Sequence, residues 1–375
     1  MFSIANMLAI DRASADERDM YYFVYESGNE EKPQMKKSII AASAFVLATA
    51  GSALLAPAKA QACDLDRDIV FGDLDWASAQ FHNRVAQFIV EEGYGCSTDV
   101  IPGSTLPIYN GMARGDIDIA MEIWVPNVQD WWDEETAKGT VRAVGVSYPD
   151  AVQGWFVPRY LVEGDDAPAA GLTSVADLAQ LASVFEDPED PDMGRFYNCI
   201  AGWGCEDANT RKLAAYGLDE TFTNFRPGTG GALAAAIESA ILREQPIVFY
   251  YWGPTWVLGK VGDQVLQLEE PAYDEEIWNA MMSADPADSA AQATAYPVIK
   301  VEIGVNAEFG DQAPTIVEFL GNYGMNGADV SAALLYMQEN DVEADEAALE
   351  FLRTREDLWT PWVSAEVADR VRAAL

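Results

Sequence analysis

Residues 69–74 read Ile-Val-Phe-Gly-Asp-Leu, a short apolar run that is typical of a buried β-strand. A stretch with helical periodicity follows at 79–92 and is closed by glycines, and a second apolar run lies at 97–102. A short helix at 109–114 and an alternating run at 117–124 complete the pattern. Strand, helix, strand, helix, strand predicts an α/β lobe with a mostly parallel sheet.

The rest of the chain predicts a second lobe. No linker separates the two sets of elements, so we expect the lobes to exchange strands, with lobe one at 63–157 plus 298–375 and lobe two at 158–297. Ligands in such α/β folds bind beyond the carboxyl ends of the strands, here in a cleft between the lobes. The remaining patterns predict strands at 247–252 and 297–305 and helices at 175–181, 207–216, 231–243, 313–323, 328–339, 345–355 and 364–374.

The beginning of the chain indicates export. Met35-Lys-Lys, an apolar run at 39–56 and small residues ending at Ala62 together describe a secretory signal peptide. The alternative is a membrane anchor, but the run is at the short limit of a span. We expect residues 1–34 to be upstream sequence from a misassigned start, 35–62 to be the signal peptide, and the protein to be periplasmic.

Four cysteines follow the predicted cleavage site, and an even count after an export signal predicts two disulfides. The short spacing of Cys199 and Cys205 favours a bond between them. That pairing leaves Cys63 for Cys96.

Composition excludes several classes of function. The net charge of −38 repels nucleic acid and anionic lipid. His82 is the one histidine, so multi-histidine metal sites are impossible, and Ser-His-Asp or Cys-His catalysis would have to use it. In contrast, the chain has 11 tryptophans, more than a core needs. These features predict a binding protein rather than a hydrolase.

Five tryptophans lie where elements are predicted to end, rather than on helix faces. A quaternary ammonium group has no N–H to donate, but aromatic faces attract it, and tryptophan attracts it most strongly. Each single ring has packing in the core as its alternative role. As a group they predict a cation cage. They are Trp76, Trp124, Trp155, Trp203 and Trp252.

Two motifs carry a resemblance to a known family. Gly202-Trp-Gly-Cys-Glu and Phe249-Tyr-Tyr-Trp-Gly-Pro-Thr-Trp resemble the glycine betaine/proline and choline binding proteins of ABC importers, and Trp124-Val-Pro is similar to that family's first box motif. The resemblance implies a two-lobed periplasmic binding protein, or Venus flytrap, with Trp124, Trp203 and Trp252 as box walls. Trp76 matches a further tryptophan of the choline-binding relatives.

The sequence departs from that family at two positions. Ser78 stands where choline-binding relatives have an aspartate that meets the choline hydroxyl, which weakens choline as the ligand. Val128 stands where the betaine family has a histidine, although its backbone can still donate.

The remaining polar candidates favour different ligand groups. Gly204 and Cys205 precede a predicted helix, whose free N–H groups can bind the carboxylate of betaine. Glu122 lies two residues before Trp124 on an alternating strand, so both side chains can face the cleft. A carboxylate there attracts a cation but repels the carboxylate of betaine, and a solvated or salt-bridged glutamate is the alternative.

An acidic stretch at 186–194 offers oxygen ligands for a structural calcium ion, with Asp187, Asp190 and Asp192 as candidates. Its spacing does not match an EF-hand, so an acidic surface loop is the favoured interpretation. No other cofactor is expected.

Together these features predict a monomeric binding protein without catalysis, which delivers its ligand to a membrane permease. Glycine betaine is the first choice of ligand, followed by trimethylamine N-oxide, choline and dimethylsulfoniopropionate. The alternatives are a secreted hydrolase, which requires His82 or a carboxylate pair, and a sensory ligand-binding module.

Overall fold

The computed structural model describes residues 63–288 and 291–375. The predicted upstream segment and signal peptide lie outside them. Both predicted disulfides are present, Cys63–Cys96 and Cys199–Cys205. None of the helices within these ranges is long and apolar enough to cross a membrane.

The described residues alternate strands and helices, as the sequence predicts for an α/β protein. The strands are β1 (Ile69–Leu74), β2 (Thr98–Gly103), β3 (Ile119–Ile123), β4 (Val141–Pro158), β5 (Glu186–Asp187), β6 (Asp190–Tyr197), β7 (Phe222–Phe225), β8 (Val248–Gly253), β9 (Val265–Gln267) and β10 (Ile299–Asn306). The helices are α1 (Ala77–Phe88), α2 (Thr105–Arg114), α3 (Gln129–Lys138), α4 (Gly204–Ala215), α5 (Gly230–Leu242), α6 (Trp256–Val261), α7 (Glu275–Ser283), α8 (Ala307–Gln312), α9 (Pro314–Asn322), α10 (Gly327–Asn340), α11 (Ala344–Thr354), α12 (Glu356–Trp359) and α13 (Ala365–Ala374).

The strands pair in the order β2-β1-β3-β10-β4-β8-β6-β5, with β7 on β6 and β9 on β4. Each half has a parallel core, β2-β1-β3 in one and β7-β6-β8 in the other. Antiparallel pairs involving β10 and β4 join the halves. Parallel neighbours end at the same edge, so β1 and β3 deliver the residues that follow them to one place.

The long strand β4 connects the two halves. Its first part pairs with β10 up to Ala151, and its second part pairs with β8 from Val152 onward. The register with β10 shifts between Tyr148 and Ala151, so Pro149 lies at an irregularity, where a proline is tolerated in a strand. Strand β4 therefore changes its pairing partner along its length. The lobe boundaries that we drew from the sequence stay a prediction.

A buried ion pair fixes helix α4 to the segment that precedes β10. Lys212 is fully buried; it pairs with Glu270 and donates a hydrogen bond to the Thr294 carbonyl at 2.8 Å. Its Nζ lies 4.2 Å from the ring centroid of Tyr296, and Tyr216 donates to Glu270 Oε1 at 3.0 Å. Burial lowers the pKa of Lys212, and the neighbouring Glu270 carboxylate opposes that shift.

Removing one charge of this pair should destabilise the protein. Lys212→Met leaves the Glu270 carboxylate buried without its cation, and we expect a loss of about 3–5 kcal/mol in the free energy of unfolding. The double variant with Glu270→Gln should recover much of that loss, because no lone charge remains. Urea unfolding measures both. Equal stabilities of the single and double variants would contradict the argument.

Candidate functional site

Four tryptophans meet in a pocket at the ends of strands from both halves of the fold. Trp76 and Trp124 follow β1 and β3, Trp203 directly precedes α4, and Trp252 lies at the end of β8. The pocket has an empty volume of about 370 Å³, its open mouth included. Its lining consists of Trp76, Thr105, Tyr109, Trp124, Asn127, Val128, Trp203, Gly204, Cys205, Tyr250 and Trp252.

The rings meet almost edge to face. The Trp203 ring centroid lies 5.4 Å from that of Trp76 and 5.3 Å from that of Trp252, with interplanar angles of 72° and 84°. Trp124, Trp203 and Trp252 keep only 7%, 5% and 8% of their surface exposed. Walls at such angles turn several electron-rich ring faces toward one volume, which is the geometry that an organic cation needs.

The indole N–H groups point to carboxylates behind the rings. Trp76 Nε1 and Trp124 Nε1 both donate to Glu122 Oε2, at 2.8 and 2.9 Å. Trp203 Nε1 donates to Asp75 Oδ1 at 2.6 Å. These charge-assisted bonds fix the orientation of three rings and leave their faces for the pocket. Hydrogen bonds to anions also polarise the rings and make their faces more attractive to a cation.

Glu122 lies behind the cage rather than in its lining. Its side chain is fully buried in β3, and the period of two along the strand puts it on the same side as Trp124. Burial raises the pKa of its carboxyl, and the hydrogen bonds from Trp124 and Trp76 oppose that rise. The sequence therefore located this residue at the site, but whether it meets a ligand stays a prediction.

In the described part of the chain, Glu122 has no cationic partner. The nearest basic group is His82, whose Nε2 lies 4.0 Å from Glu122 Oε1. Burial lowers the pKa of His82 to about 3, so this imidazole is neutral at physiological pH. A buried carboxylate without a compensating cation is expensive, because charges in protein interiors are normally paired or neutralised.

Ser78 and Tyr148 also lie at hydrogen-bonding positions around Glu122, where they lower the pKa of its carboxyl. Their hydroxyl oxygens, Glu122 Oε1 and His82 Nε2 are all buried, and their contacts are looser than well-formed hydrogen bonds. The His82 ring stacks on Tyr148, with ring centroids 5.5 Å apart. Most buried polar atoms in proteins are paired at good geometry, so the contacts in this compartment behind the cage are weaker than usual.

The start of α4 supplies backbone donors to the lining of the pocket. Gly204 and Cys205 form its first turn and line the pocket, and the N–H groups of a first turn have no partner within the helix. A Cβ at Gly204 would lie 3.0 Å from the Asn127 carbonyl oxygen, so glycine permits this close approach. The disulfide from Cys205 to Cys199 fixes the loop that leads into the helix.

Most of the predicted site residues come together. Trp76, Trp124, Trp203, Gly204, Cys205 and Trp252 line the pocket, as does Val128. Sequence reasoning missed Thr105, Tyr109, Asn127 and Tyr250. Tyr250 lies in the aromatic motif quoted above, two residues before Trp252 on β8. The alternation of side chains along a strand, which puts both on the same face, was the signal for it. Asn127 follows Trp124-Val-Pro, and its Nδ2 donates to Gln153 Oε1 on β4 at 3.0 Å, a bond between segments distant in sequence that no sequence pattern reveals.

The prediction that Trp155 belongs to the cage is wrong. Its side chain is fully buried outside the pocket, with its ring centroid 4.1 Å from that of Phe196 and its Nε1 donating to Asn209 Oδ1 at 2.6 Å. It lies two residues beyond Gln153 on β4, about 7 Å further along the strand. Trp155 therefore packs in the core beneath α4 and does not contact the cage.

The acidic stretch offers no reason to place calcium. Asp187 is buried against Arg195, with the guanidinium Nε 3.0 Å from Asp187 Oδ1. That pairing holds the pKa of Asp187 down to about 2, against the opposing effect of its burial. Within 63–288 and 291–375, no group of three or more acidic, histidine or cysteine side chains is placed to hold a metal ion.

Comparison with known proteins gives related sequences and folds. The glycine betaine/proline betaine-binding periplasmic protein of Escherichia coli K12 is 25% identical over 276 residues, which is 69% of this chain and 78% of that protein. The glycine/betaine/L-proline-binding protein of an ABC transporter from Borrelia burgdorferi shares the fold, with a TM-score of 0.63 at 17% identity, over 81% of this chain and all of that one.

A choline binding protein of an ABC transporter, solved in complex with choline, has a TM-score of 0.65 at 16% identity, over 82% of this chain and 97% of that one. These likenesses show the two-lobed fold of periplasmic binding proteins. The model of the substrate-binding domain of ABC-type glycine betaine transport systems matches residues 67–354, and this chain therefore belongs to that family.

Proposed function

We propose that this chain is the exported, ligand-delivering component of an ABC importer and that it binds a methylated-ammonium osmolyte in the tryptophan cage. The observation that carries the proposal is the buried carboxylate of Glu122, which holds two cage rings and lacks a cation of its own. A trimethylammonium group in the pocket supplies the missing positive charge through the ring faces, without requiring a hydrogen bond.

Glycine betaine is the ligand that can contact both the rings and the helix N–H groups of the pocket. Its ammonium group fits the faces of the rings, and its carboxylate fits the free N–H groups at the start of α4. The related protein from Escherichia coli is named for glycine betaine and proline betaine, which supports this class of ligand.

Choline is the second candidate, because Glu122 favours a ligand with a net positive charge. The structural relative that was solved with choline supports it. Trimethylamine N-oxide and dimethylsulfoniopropionate belong to the same chemical class and complete the set of ligands for a calorimetric titration.

The proposed role requires no catalysis. A ligand-bound monomer presents its closed lobes to a membrane permease, which accepts the osmolyte. Export would depend on the segment at 35–62 as a signal peptide, and the names of the periplasmic relatives support that location.

Substitutions in the cage should separate aromatic recognition from packing. We expect Trp124→Leu to weaken glycine betaine binding by about ten-fold or more, because it removes a cation–π contact of about 1–2 kcal/mol. Trp124→Phe should retain part of the affinity, since it keeps a weaker aromatic face. Isothermal calorimetry measures both, with thermal unfolding as a check of folding.

Trp359→Phe is the matched control, because Trp359 is fully buried and lies outside the pocket. It should lower stability and leave affinity unchanged. If leucine binds the osmolyte as well as phenylalanine at position 124, the cage does not recognise charge.

Glu122 should make the binding of a net cation depend on pH. A bound cation favours the ionised carboxylate, whose pKa is raised by burial. Affinity for choline should therefore rise as pH increases above the usual range of a glutamate carboxyl, about 4.3, and binding should release a proton where the free protein is still protonated. The surrounding groups stay neutral, because burial lowers the pKa of His82 to about 3 and raises those of Tyr109, Tyr148 and Tyr323.

Glu122→Gln should bind choline more weakly and remove the pH dependence. Glycine betaine should lose less affinity than choline, because its own carboxylate is repelled by the ionised Glu122. Titrations of both ligands over this pH range measure the effect. An unchanged pH profile in the variant would show that another group is responsible.

A further inference from the structure

A second cavity shares one wall with the cage. Three cage tryptophans line both spaces, and the second space adds an acidic residue and two more aromatic rings. Its empty volume is about 720 Å³, open mouth included. The residues that give it chemical character are Asp75, Trp76, Trp203, Tyr251, Trp252 and Trp256.

The shared wall has aromatic surface on both sides. Trp252 stacks with Tyr250, which lines the cage, at a centroid distance of 6.3 Å and an angle of 23°. It also stacks with Tyr251, which lines the second cavity, at 4.6 Å and 24°. Aromatic rings carry negative potential on their faces, so the rings that line each space favour a cation there.

The second cavity also has an unmatched negative charge. Asp75 is exposed, and its Oδ1 accepts the Trp203 indole N–H at 2.6 Å. No lysine or arginine forms an ion pair with Asp75 within the ranges that the structure covers. Lys260, which does not line the cavity, has its Nζ 5.9 Å from the Trp256 ring centroid while it pairs with Glu238.

Helix α10 closes the opposite side of this cavity through Leu334 and Gln338. Leu334 is buried, whereas Gln338 is exposed. Asp75 is exposed whereas Glu122 behind the cage is buried, so water screens the attraction of the outer carboxylate for a cation more strongly.

We propose that the second cavity is an outer subsite for a small organic ammonium cation, placed back to back with the cage across the wall of Trp76, Trp203 and Trp252. The inference rests on the proposed function of the cage, because both sites use the same rings and the same class of ligand. We expect the outer subsite to bind about ten-fold more weakly than the cage, since its carboxylate, Asp75, is exposed and screened by water whereas Glu122 is buried.

Tetramethylammonium is the probe, because it has neither a hydroxyl nor a carboxylate and reports on the aromatic sites alone. Calorimetric titration of the full-length mature protein into the millimolar range should find one tighter and one weaker site. Trp256→Leu should remove the weaker site and leave the tighter one unchanged, because Trp256 lines only the outer cavity. Trp124→Leu, whose ring lines only the cage, should weaken the tighter site and keep the outer one.

A second variant keeps the test decisive if Trp256→Leu does not fold. Gln338→Lys changes an exposed helix residue and places an ammonium group at the outer cavity, where it should exclude the probe without affecting the cage. One site in the wild type, with unchanged binding in both outer variants, would overturn the outer subsite and leave the cage proposal intact. No binding of tetramethylammonium at all would overturn both.

Discussion

Two indole N–H groups donate to one buried carboxylate oxygen, and the geometry of the site depends on that arrangement. Glu122 Oε2 accepts from Trp76 and Trp124, residues that follow two parallel strands, and so fixes their rings relative to each other. The same carboxylate is buried, and its basic neighbour within 4.0 Å in the described chain is His82, whose pKa burial lowers to about 3. One side chain therefore both orients the two rings and supplies negative charge. We infer that a bound ammonium group compensates that charge.

The fold brings the other half of the cage to this pair. Strand β4 changes partner from β10 to β8 along its length, which joins the two parallel cores into one continuous order of strands. Trp252 arrives at the end of β8, and Trp203 arrives at the start of α4, where the Cys199–Cys205 disulfide fixes the preceding loop. The pocket lining consequently combines aromatic rings with the first residues of a helix, an arrangement suited to a zwitterion.

Sequence reasoning was most successful where local pattern decides the outcome. The strand-helix alternation, both disulfides and the convergence of four tryptophans on one pocket are as predicted, because periodicity, cysteine spacing and element ends are local properties. That these rings bind a ligand stays a prediction. Strand β4 was missed, since Pro149-Asp150 in its middle is typical of a turn and only the pairing with β10 accommodates it. Trp155 was wrongly assigned to the cage because sequence does not show how far a side chain on a strand lies from the pocket. The isolation of Glu122 from any cation also depends on which distant side chains surround it.

The most direct test of the account replaces the charge of the ligand and keeps its shape. In 3,3-dimethylbutanoate a carbon atom stands where glycine betaine has its quaternary nitrogen, so the two differ chiefly in positive charge. If the rings and Glu122 recognise that charge, competition calorimetry should find the carbon analogue about 100-fold weaker or worse, as two or three lost cation–π contacts imply. Comparable affinities for the two compounds would show that the pocket selects apolar shape, and would contradict the central claim.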